Sequence, residues 1–404
     1  MSAIGGIVDF QRRDIDFDSL YKMKLAMSMR GRRRSSAYLG GSVNIIYNDD
    51  GLAKASVYEE MQPAIFKRGS SEYAVAVDSE HSDASSVFEA YRVDGFDFLA
   101  TLCDSFALCL FDGEKNMLIL ARDRRGNKPM FYKLHKGKIY FSSEIKGISE
   151  AIGERLTVDR DMLSLHLSAP LGVYGACDIF KDIQEVMPGE CVIFGELGVS
   201  RFRYGARRNY EDFKVQKKKE KSVEIITPYP AKISQNIDEV LSSALIAFDY
   251  PQFDADMPAL CSLLESAQSR SKNNILFEDR TRRQSFAYAR EREDRLGAFY
   301  GIRAKGRYIS GRKEDNLQYE ACRQYLLQSF CTLDASRTDI LKKILGEKKL
   351  EYLRRRFESG SEKQKDTDAQ IRILGMLIQT VMWTESKGLI ISHGSDALIS
   401  LGFQ

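Results

Sequence analysis

In the first 210 residues, hydrophobic positions form short runs separated by turns that contain Gly, Asp or Asn. Two pairs of runs predict β-hairpins, FALCLFDGEKNMLILARD around Asp112-Gly113 and MFYKLHKGKIYFSS around Lys136-Gly137. Apolar arms on both sides of a Gly-containing turn are typical of antiparallel strands. Helical spacing interrupts the strands in FDSLYKMKLAMSM, SSVFEAYRV and DRDMLSLHLSA. The pattern therefore predicts a mixed α and β region that is rich in antiparallel pairs.

The pattern changes after residue 210. Residues 211–224, which begin EDFKVQKKKEK, are strongly polar and are predicted to be an interdomain linker. Beyond them, apolar residues recur at three- and four-residue spacing, as in IDEVLSSALIAF and AQIRILGMLIQTVMW, and ILFED is the clearest strand candidate. We predict one domain over residues 1–210 and a second, mainly helical domain over residues 225–404.

Composition adds to this picture by excluding several classes of protein. With 43% hydrophobic and 29% charged residues, and with apolar runs too short to cross a bilayer, the chain is typical of a cytoplasmic globular protein. Its seven cysteines contain no C-x-x-C pair, which predicts buried thiols in a reducing compartment. The four histidines lack metal-binding spacing, so we expect no metal site.

Charge patterning gives limited support for nucleic-acid binding. The net charge is only +3, although basic residues cluster at 30–34, at 217–221 and in LKKILGEKKLEYLRRR, Leu341–Arg356. Leu and Ile at helical spacing between the charges of this last segment favour a solvated helix face. A nucleic-acid-binding module is kept as an alternative, and no membrane contact is expected.

Several segments of the first half occur in the order found in one family. The chain begins Met-Ser-Ala-Ile-Gly-Gly, continues with Arg30-Gly31 and Gln62-Pro63, and then contains two long matching stretches, Phe106–Ile148 (FALCLFDGEKNMLILARDRRGNKPMFYKLHKGKIYFSSEIKGI) and Ile179–Phe194 (IFKDIQEVMPGECVIF). In these segments the chain resembles the glutamine-dependent asparagine synthetases, a family of class II glutamine amidotransferases. The resemblance covers the first half well and the second half poorly.

The resemblance implies a fold and a chemistry. The first domain of the family is an N-terminal nucleophile (Ntn) hydrolase, an α/β/β/α sandwich that releases ammonia from glutamine. The second activates aspartate with ATP and Mg²⁺. We therefore expect an α+β protein, with an Ntn-hydrolase-like sandwich followed by a mainly helical, degenerate synthetase-like domain.

The implied glutaminase site departs from the family pattern. Ser2 stands where the family has its cysteine nucleophile, and it can be catalytic only if removal of Met1 frees its amine to act as the base. Asp78 and Ser79 stand where the family forms its oxyanion hole with an Asn side chain and the following Gly. A carboxylate at this place would repel the negative charge that develops in the reaction.

Recognition of glutamine also departs from the family pattern. Only Lys54 lies near the place of the arginine that binds the substrate carboxylate, and an ammonium group cannot form that bidentate contact. Asp83 aligns with the acid that binds the substrate amine. However, only Ser79 to Ser82 separate it from Asp78, where the family has a helix-containing excursion. We expect a degenerate glutamine pocket.

The nucleotide loop of the family, S-G-G-x-D-S, has no counterpart in this sequence. No glycine occurs between Gly205 and Gly297, and the segment in that place reads FDADMPALCSLLESAQS. Glycine lets backbone N–H groups approach the phosphates closely, so its absence argues against this mode of ATP binding. We expect no cofactor, although ATP and Mg²⁺ belong to the family.

These departures lead to one main hypothesis and three alternatives. The first is a pseudoenzyme, a non-catalytic structural or regulatory partner in amide or peptide biosynthesis, which would act with a protein partner or as a homo-oligomer. The alternatives are a serine-type N-terminal amidohydrolase that uses Ser2, a residual ATP-dependent amide-forming ligase, and the basic nucleic-acid-binding module. The sequence leaves open whether the protein is an enzyme.

Overall fold

The computed structural model of the chain describes residues 2–11, 17–49, 62–79, 82–102, 105–168, 179–196, 198–204, 224–226, 236–270, 274–279, 286–308, 316–358, 364–387 and 390–391. The chain divides into two compact units. The first comprises Met1–Glu154, Ile183–Gln235 and Pro258–Arg312, and the second Arg155–Asp182, Asn236–Met257 and Lys313–Gln404. Both units draw on both halves of the sequence. The linear boundaries at 210 and 225 stay a prediction, and most of the expected linker lies outside the described residues.

The strands are β1 (Ser2–Val8), β2 (Arg34–Gly40), β3 (Val43–Asp49), β4 (Ala64–Arg68), β5 (Ser71–Ser79), β6 (Phe106–Asp112), β7 (Met117–Arg122), β8 (Phe131–His135), β9 (Lys138–Ser142), β10 (Thr157–Val158), β11 (Gln184–Glu185), β12 (Glu190–Gly195), β13 (Gly198–Arg203), β14 (Glu224–Ile226), β15 (Asn274–Asp279), β16 (Arg303–Tyr308) and β17 (Ile390–Ile391). The helices are α1 (Phe17–Ala26), α2 (Ala84–Asp94), α3 (Ile145–Ile152), α4 (Arg160–Ser168), α5 (Ile237–Phe248), α6 (Met257–Ser269), α7 (Phe286–Tyr300), α8 (Asn316–Cys331), α9 (Ala335–Leu345), α10 (Glu347–Glu358) and α11 (Gln364–Lys387), with a 3₁₀-helix at Gly95–Ala100.

Two six-stranded antiparallel sheets form the first unit, in the orders β11-β8-β9-β1-β3-β2 and β13-β12-β7-β6-β5-β4. Alternate residues of a strand share a face. Ile4 and Val8 of β1 therefore meet Ala74 and Ala76 of β5 in one buried apolar layer between the sheets. On β5 the intervening residues pack towards α2, and α1 and α3 cover the other sheet. This order of layers confirms the predicted α/β/β/α sandwich.

The Gly-Gly pair at the start of the chain is explained by close packing on both faces of β1. A Cβ atom on Gly5 would lie 2.6 Å from Met27 Cε of the adjoining helical layer. A Cβ atom on Gly6 would lie 2.4 Å from the backbone oxygen of Asn44 and 2.5 Å from Phe141 Cζ. Only a residue without a side chain allows this central strand to be approached from both sides.

A small parallel sheet also belongs to the first unit. Its strand order is β14-β15-β16, and α7 connects β15 to β16. Parallel neighbours require such a crossover connection. The ILFED strand predicted from the sequence lies within β15, whereas its two neighbours were not predicted.

Helices make up most of the second unit, which confirms the helical pattern expected there. Helix α11 packs against α5, α8 and α9, and α5 spans the predicted IDEVLSSALIAF. The basic segment Leu341–Arg356 is two helices, because the chain breaks at Gly346 with a φ of 80°. Several of its cations are paired, among them Lys342 with Glu347 and Arg355 with Glu351. Among the described helices, none combines the length and the apolar character needed to span a membrane.

Candidate functional site

Ser2, the candidate nucleophile, is the first residue of β1 and is buried. It shares the strand face of Ile4 and Val8, so its side chain points into the space between the two sheets. There the hydroxyl of Tyr47, on the neighbouring β3, donates a hydrogen bond to Ser2 Oγ at 2.9 Å. The serine oxygen is therefore an acceptor in the packed interior of the sandwich.

Asp78, near the end of β5, faces the same interior. It shares the strand face of Ala74 and Ala76, and its side chain is only 5% exposed. Its carboxylate lies between two buried cations, with Oδ1 3.5 Å from Lys128 Nζ and Oδ2 3.8 Å from Arg30 Nη1. The residue at the expected oxyanion position is therefore engaged in ion pairs.

Two further carboxylates complete this arrangement. Asp294, on α7, pairs with the guanidinium of Arg30, and its Oδ1 lies 3.1 Å from Lys128 Nζ. Glu144 Oε1 lies 3.8 Å from Arg30 Nε, and its Oε2 lies 3.2 Å from Lys146 Nζ. We call these six residues the buried charge cluster: Arg30, Asp78, Lys128, Glu144, Lys146 and Asp294.

The buried charge cluster contains three cations and three anions, so its formal charges balance. Buried charges are stable only when they are paired, because removal from water costs several kcal/mol for each ion. Together the pairs join the turn after α1, the end of β5, the turn before β8, the start of α3 and helix α7. The arrangement can hold these five segments together, and each of its Arg and Lys cations lies within 4 Å of a carboxylate of the chain itself.

The ARDRRGNKP segment places Lys128 in this cluster. Asp123 is buried, and its carboxylate accepts hydrogen bonds from the backbone N–H groups of Arg125 at 2.9 Å and Lys128 at 3.2 Å. Burial raises the pKa of the Asp123 carboxyl, and the charge of Arg122 and the backbone donors oppose that effect. Asp123 therefore organises the turn from inside.

Arg122, at the end of β7, anchors the same segment to β11 of the other sheet. Its guanidinium forms a buried ion pair with Glu185. It also donates to the backbone oxygens of Gly126 at 2.6 Å and Val186 at 3.2 Å. The ARDRRGNKP segment is thus held in the sandwich by a second buried ion pair.

Two other predicted site residues, Ser79 and Asp83, make local contacts. Ser79 Oγ accepts a hydrogen bond from the backbone N–H of Ser82 at 2.9 Å. Asp83 is the N-cap of α2 and accepts from the backbone N–H of Ser86 at 2.7 Å in a capping box. Lys54 lies outside the described residues. The two placed residues thus have local structural roles in a turn and a helix cap.

The segment that stands in place of the nucleotide loop forms the start and the whole length of α6, and two buried acids precede the helix. Asp254 Oδ1 accepts from the backbone N–H groups of Asp256 at 2.8 Å and Met257 at 3.1 Å. Asp256 Oδ1 accepts from the hydroxyl of Tyr319 at 2.8 Å, and burial, followed by Asp256, raises the pKa of that tyrosine. The carboxylates of Asp254 and Asp256 therefore lie at the start of α6, a position that could otherwise favour an anionic ligand.

Comparison with known proteins agrees with this geometry. Residues 67–205 match the glutamine amidotransferase domain family. Asparagine synthetase [glutamine-hydrolyzing] 3 of Bacillus subtilis is 26% identical over 225 residues, which is 50% of this chain and 36% of that protein. The putative asparagine synthetase [glutamine-hydrolyzing] 2 of Methanocaldococcus jannaschii is 26% identical over 176 residues, which is 42% of this chain and 34% of that protein.

The glutamine phosphoribosylpyrophosphate amidotransferase of B. subtilis, solved with ADP and GMP, aligns with a TM-score of 0.38 and 12% identity. That alignment covers 78% of this chain and 67% of the other, and a likeness this weak supports no inference. Residues 67–205, most of which lie in the first unit, thus match a glutamine amidotransferase domain, and the observed sandwich agrees with the fold expected for it. The chain is similar to asparagine synthetases over about half of its length, and the matched segments span only about a third of those synthetases.

Proposed function

We propose that this protein is a catalytically silent member of its family that serves as a structural or regulatory partner in amide or peptide biosynthesis. The observation that carries the proposal is the Asp78 carboxylate, which stands at the expected oxyanion position and is held by Arg30 and Lys128. Hydrolysis of an amide needs a hydrogen-bond donor at that position.

An ionised carboxylate can only accept hydrogen bonds. Loss of one oxyanion donor costs roughly 3 kcal/mol of transition-state stabilisation, and a negative charge in its place adds repulsion. The two cations beside Asp78 do not reverse this effect, since they already pair with Asp78 and Asp294. The buried charge cluster therefore favours a stable interior over stabilisation of a reacting group.

Ser2 supports the same proposal. A serine hydroxyl ionises much less readily than a cysteine thiol, so the base must remove its proton during the reaction. Its oxygen already accepts a hydrogen bond from the Tyr47 hydroxyl within the packed interior. The serine is thus used as part of the sandwich core.

We expect thermal unfolding of the purified protein to be unchanged by L-glutamine, by L-aspartate, or by ATP with Mg²⁺. A ligand that binds only the native state at 100 times its Kd would add about 2.7 kcal/mol to stability, which a melting curve detects readily. A rise in Tm with glutamine would contradict the loss of the glutamine pocket. A rise with ATP would favour a residual ligase, and a synthetase that binds both ligands serves as the positive control.

A further inference from the structure

Helix α1 has two apolar faces. Leu20 and Met23 are buried against the sandwich, as expected for a helix that covers a sheet. On the outer side Phe17, Tyr21 and Leu25 are 64%, 56% and 51% exposed. Residues four apart lie one above the other on a helix, so these three side chains form a continuous row, which we call the α1 stripe.

The α1 stripe is unusual for a surface helix. The outward face of such a helix is normally polar, and single exposed hydrophobic residues need no explanation. A row of three large apolar side chains is a patch, and patches of this kind mark interaction sites. Aromatic residues are enriched in the centres of protein interfaces, and two of the three residues here are aromatic.

The charges beside the α1 stripe indicate which partner fits it. Asp18 and Lys22 lie along one edge of the stripe, with the acid nearer the helix start, and their side chains are 2.5 Å apart. If a second α1 packs antiparallel to the first, the two copies of this edge lie side by side and run in opposite directions. Asp18 of each copy then faces Lys22 of the other, and the helix dipoles also oppose one another favourably.

A second copy of this chain therefore presents a complementary charge to both Asp18 and Lys22. Such an interface is isologous, since one surface pairs with itself around a two-fold axis, and this is the commonest arrangement of homo-oligomers. We infer that the α1 stripe is the interface of a homodimer in which two copies of α1 pack antiparallel, with Tyr21 near the axis. This inference does not depend on the loss of catalysis, because the α1 stripe lies outside the buried charge cluster.

The oligomeric state tests the inference. Light scattering coupled to size exclusion should give the mass of a dimer, and sedimentation should show dissociation on dilution. The Tyr21→Glu variant should raise the dimer dissociation constant roughly 30-fold or more, as expected when charge replaces an aromatic at an interface centre. The matched control is Val93→Glu, since Val93 is 70% exposed on α2 and the variant should dimerise normally.

Both residues are exposed, so we expect the two variants to keep the circular dichroism spectrum and the Tm of the parent. A parent protein that stays monomeric at high concentration would overturn the inference. It would also be overturned if Tyr21→Glu left the dimer intact, or if Val93→Glu disrupted it equally. A monomer that binds a different protein through the α1 stripe would likewise contradict the homodimer.

A charge exchange tests the orientation of the two helices. Asp18→Lys places like charges along both copies of the edge and should weaken the dimer roughly threefold, a size typical of exposed ion pairs. The double variant Asp18→Lys/Lys22→Asp restores complementarity and should recover the parent dissociation constant. Failure of the double variant to recover dimerisation would contradict the antiparallel arrangement.

Discussion

Replacing Arg30 with methionine is expected to lower the free energy of unfolding of the first unit by about 3–5 kcal/mol. The Arg30 side chain is only 1% exposed, and its guanidinium lies among the carboxylates of Asp78, Glu144 and Asp294. Its loss leaves three buried acids with two cations, so one negative charge is uncompensated in the interior. Urea unfolding followed by circular dichroism measures the change.

The control for this prediction is Arg34→Met. Arg34 also pairs with a carboxylate, at 2.5 Å from Asp49, but its side chain is 52% exposed. Exposed pairs contribute about 0–1 kcal/mol, so this variant should remain close to the parent. Equal losses in the two variants, with unchanged denaturant slopes, would show that the buried charge cluster contributes no more than an ordinary surface pair.

The second large effect is expected at Glu185. The Glu185→Leu variant removes the carboxylate partner of Arg122, whose side chain is almost fully buried. The guanidinium keeps its bonds to two backbone oxygens but loses the carboxylate of Glu185, so we expect a loss of about 3–5 kcal/mol. The midpoint of urea unfolding should fall while the slope stays constant.

The double variant Arg122→Met/Glu185→Leu distinguishes loss of a pair from loss of packing. Two apolar side chains can replace a buried ion pair at small cost, whereas a single replacement leaves a buried charge. We therefore expect the double variant to be more stable than Glu185→Leu. If the destabilisation of the double variant equals the sum of the losses in Arg122→Met and Glu185→Leu, the two residues are not coupled.

The sandwich could be predicted because its signals are local. The hairpin between β8 and β9 turns at Lys136-Gly137, and both residues have positive φ, as the tight turn between two strands requires. The hairpin between β6 and β7 follows the predicted arms on either side of Asp112-Gly113. In each case the apolar arms and the turn chemistry lie within about 20 residues of sequence.

The buried charge cluster could not be predicted in the same way. Asp294 lies 166 residues from Lys128, within the charged sequence EREDR, which resembles an ordinary solvated helix. Strand β16 could not be predicted for a related reason, because its sequence RAKGRY has no apolar alternation. Asp83, by contrast, starts an Asp-Ala-Ser-Ser sequence whose helix-capping chemistry is visible locally.

Release of glutamate from glutamine by the purified protein tests the central claim most directly. Intact mass must first show that Met1 has been removed, so that the Ser2 amine is free to act as the base. We expect the parent protein and the Ser2→Ala variant to release glutamate at the same background rate. Glutamate release by the parent protein that disappears in Ser2→Ala would contradict a catalytically silent site and would establish Ser2 as a nucleophile.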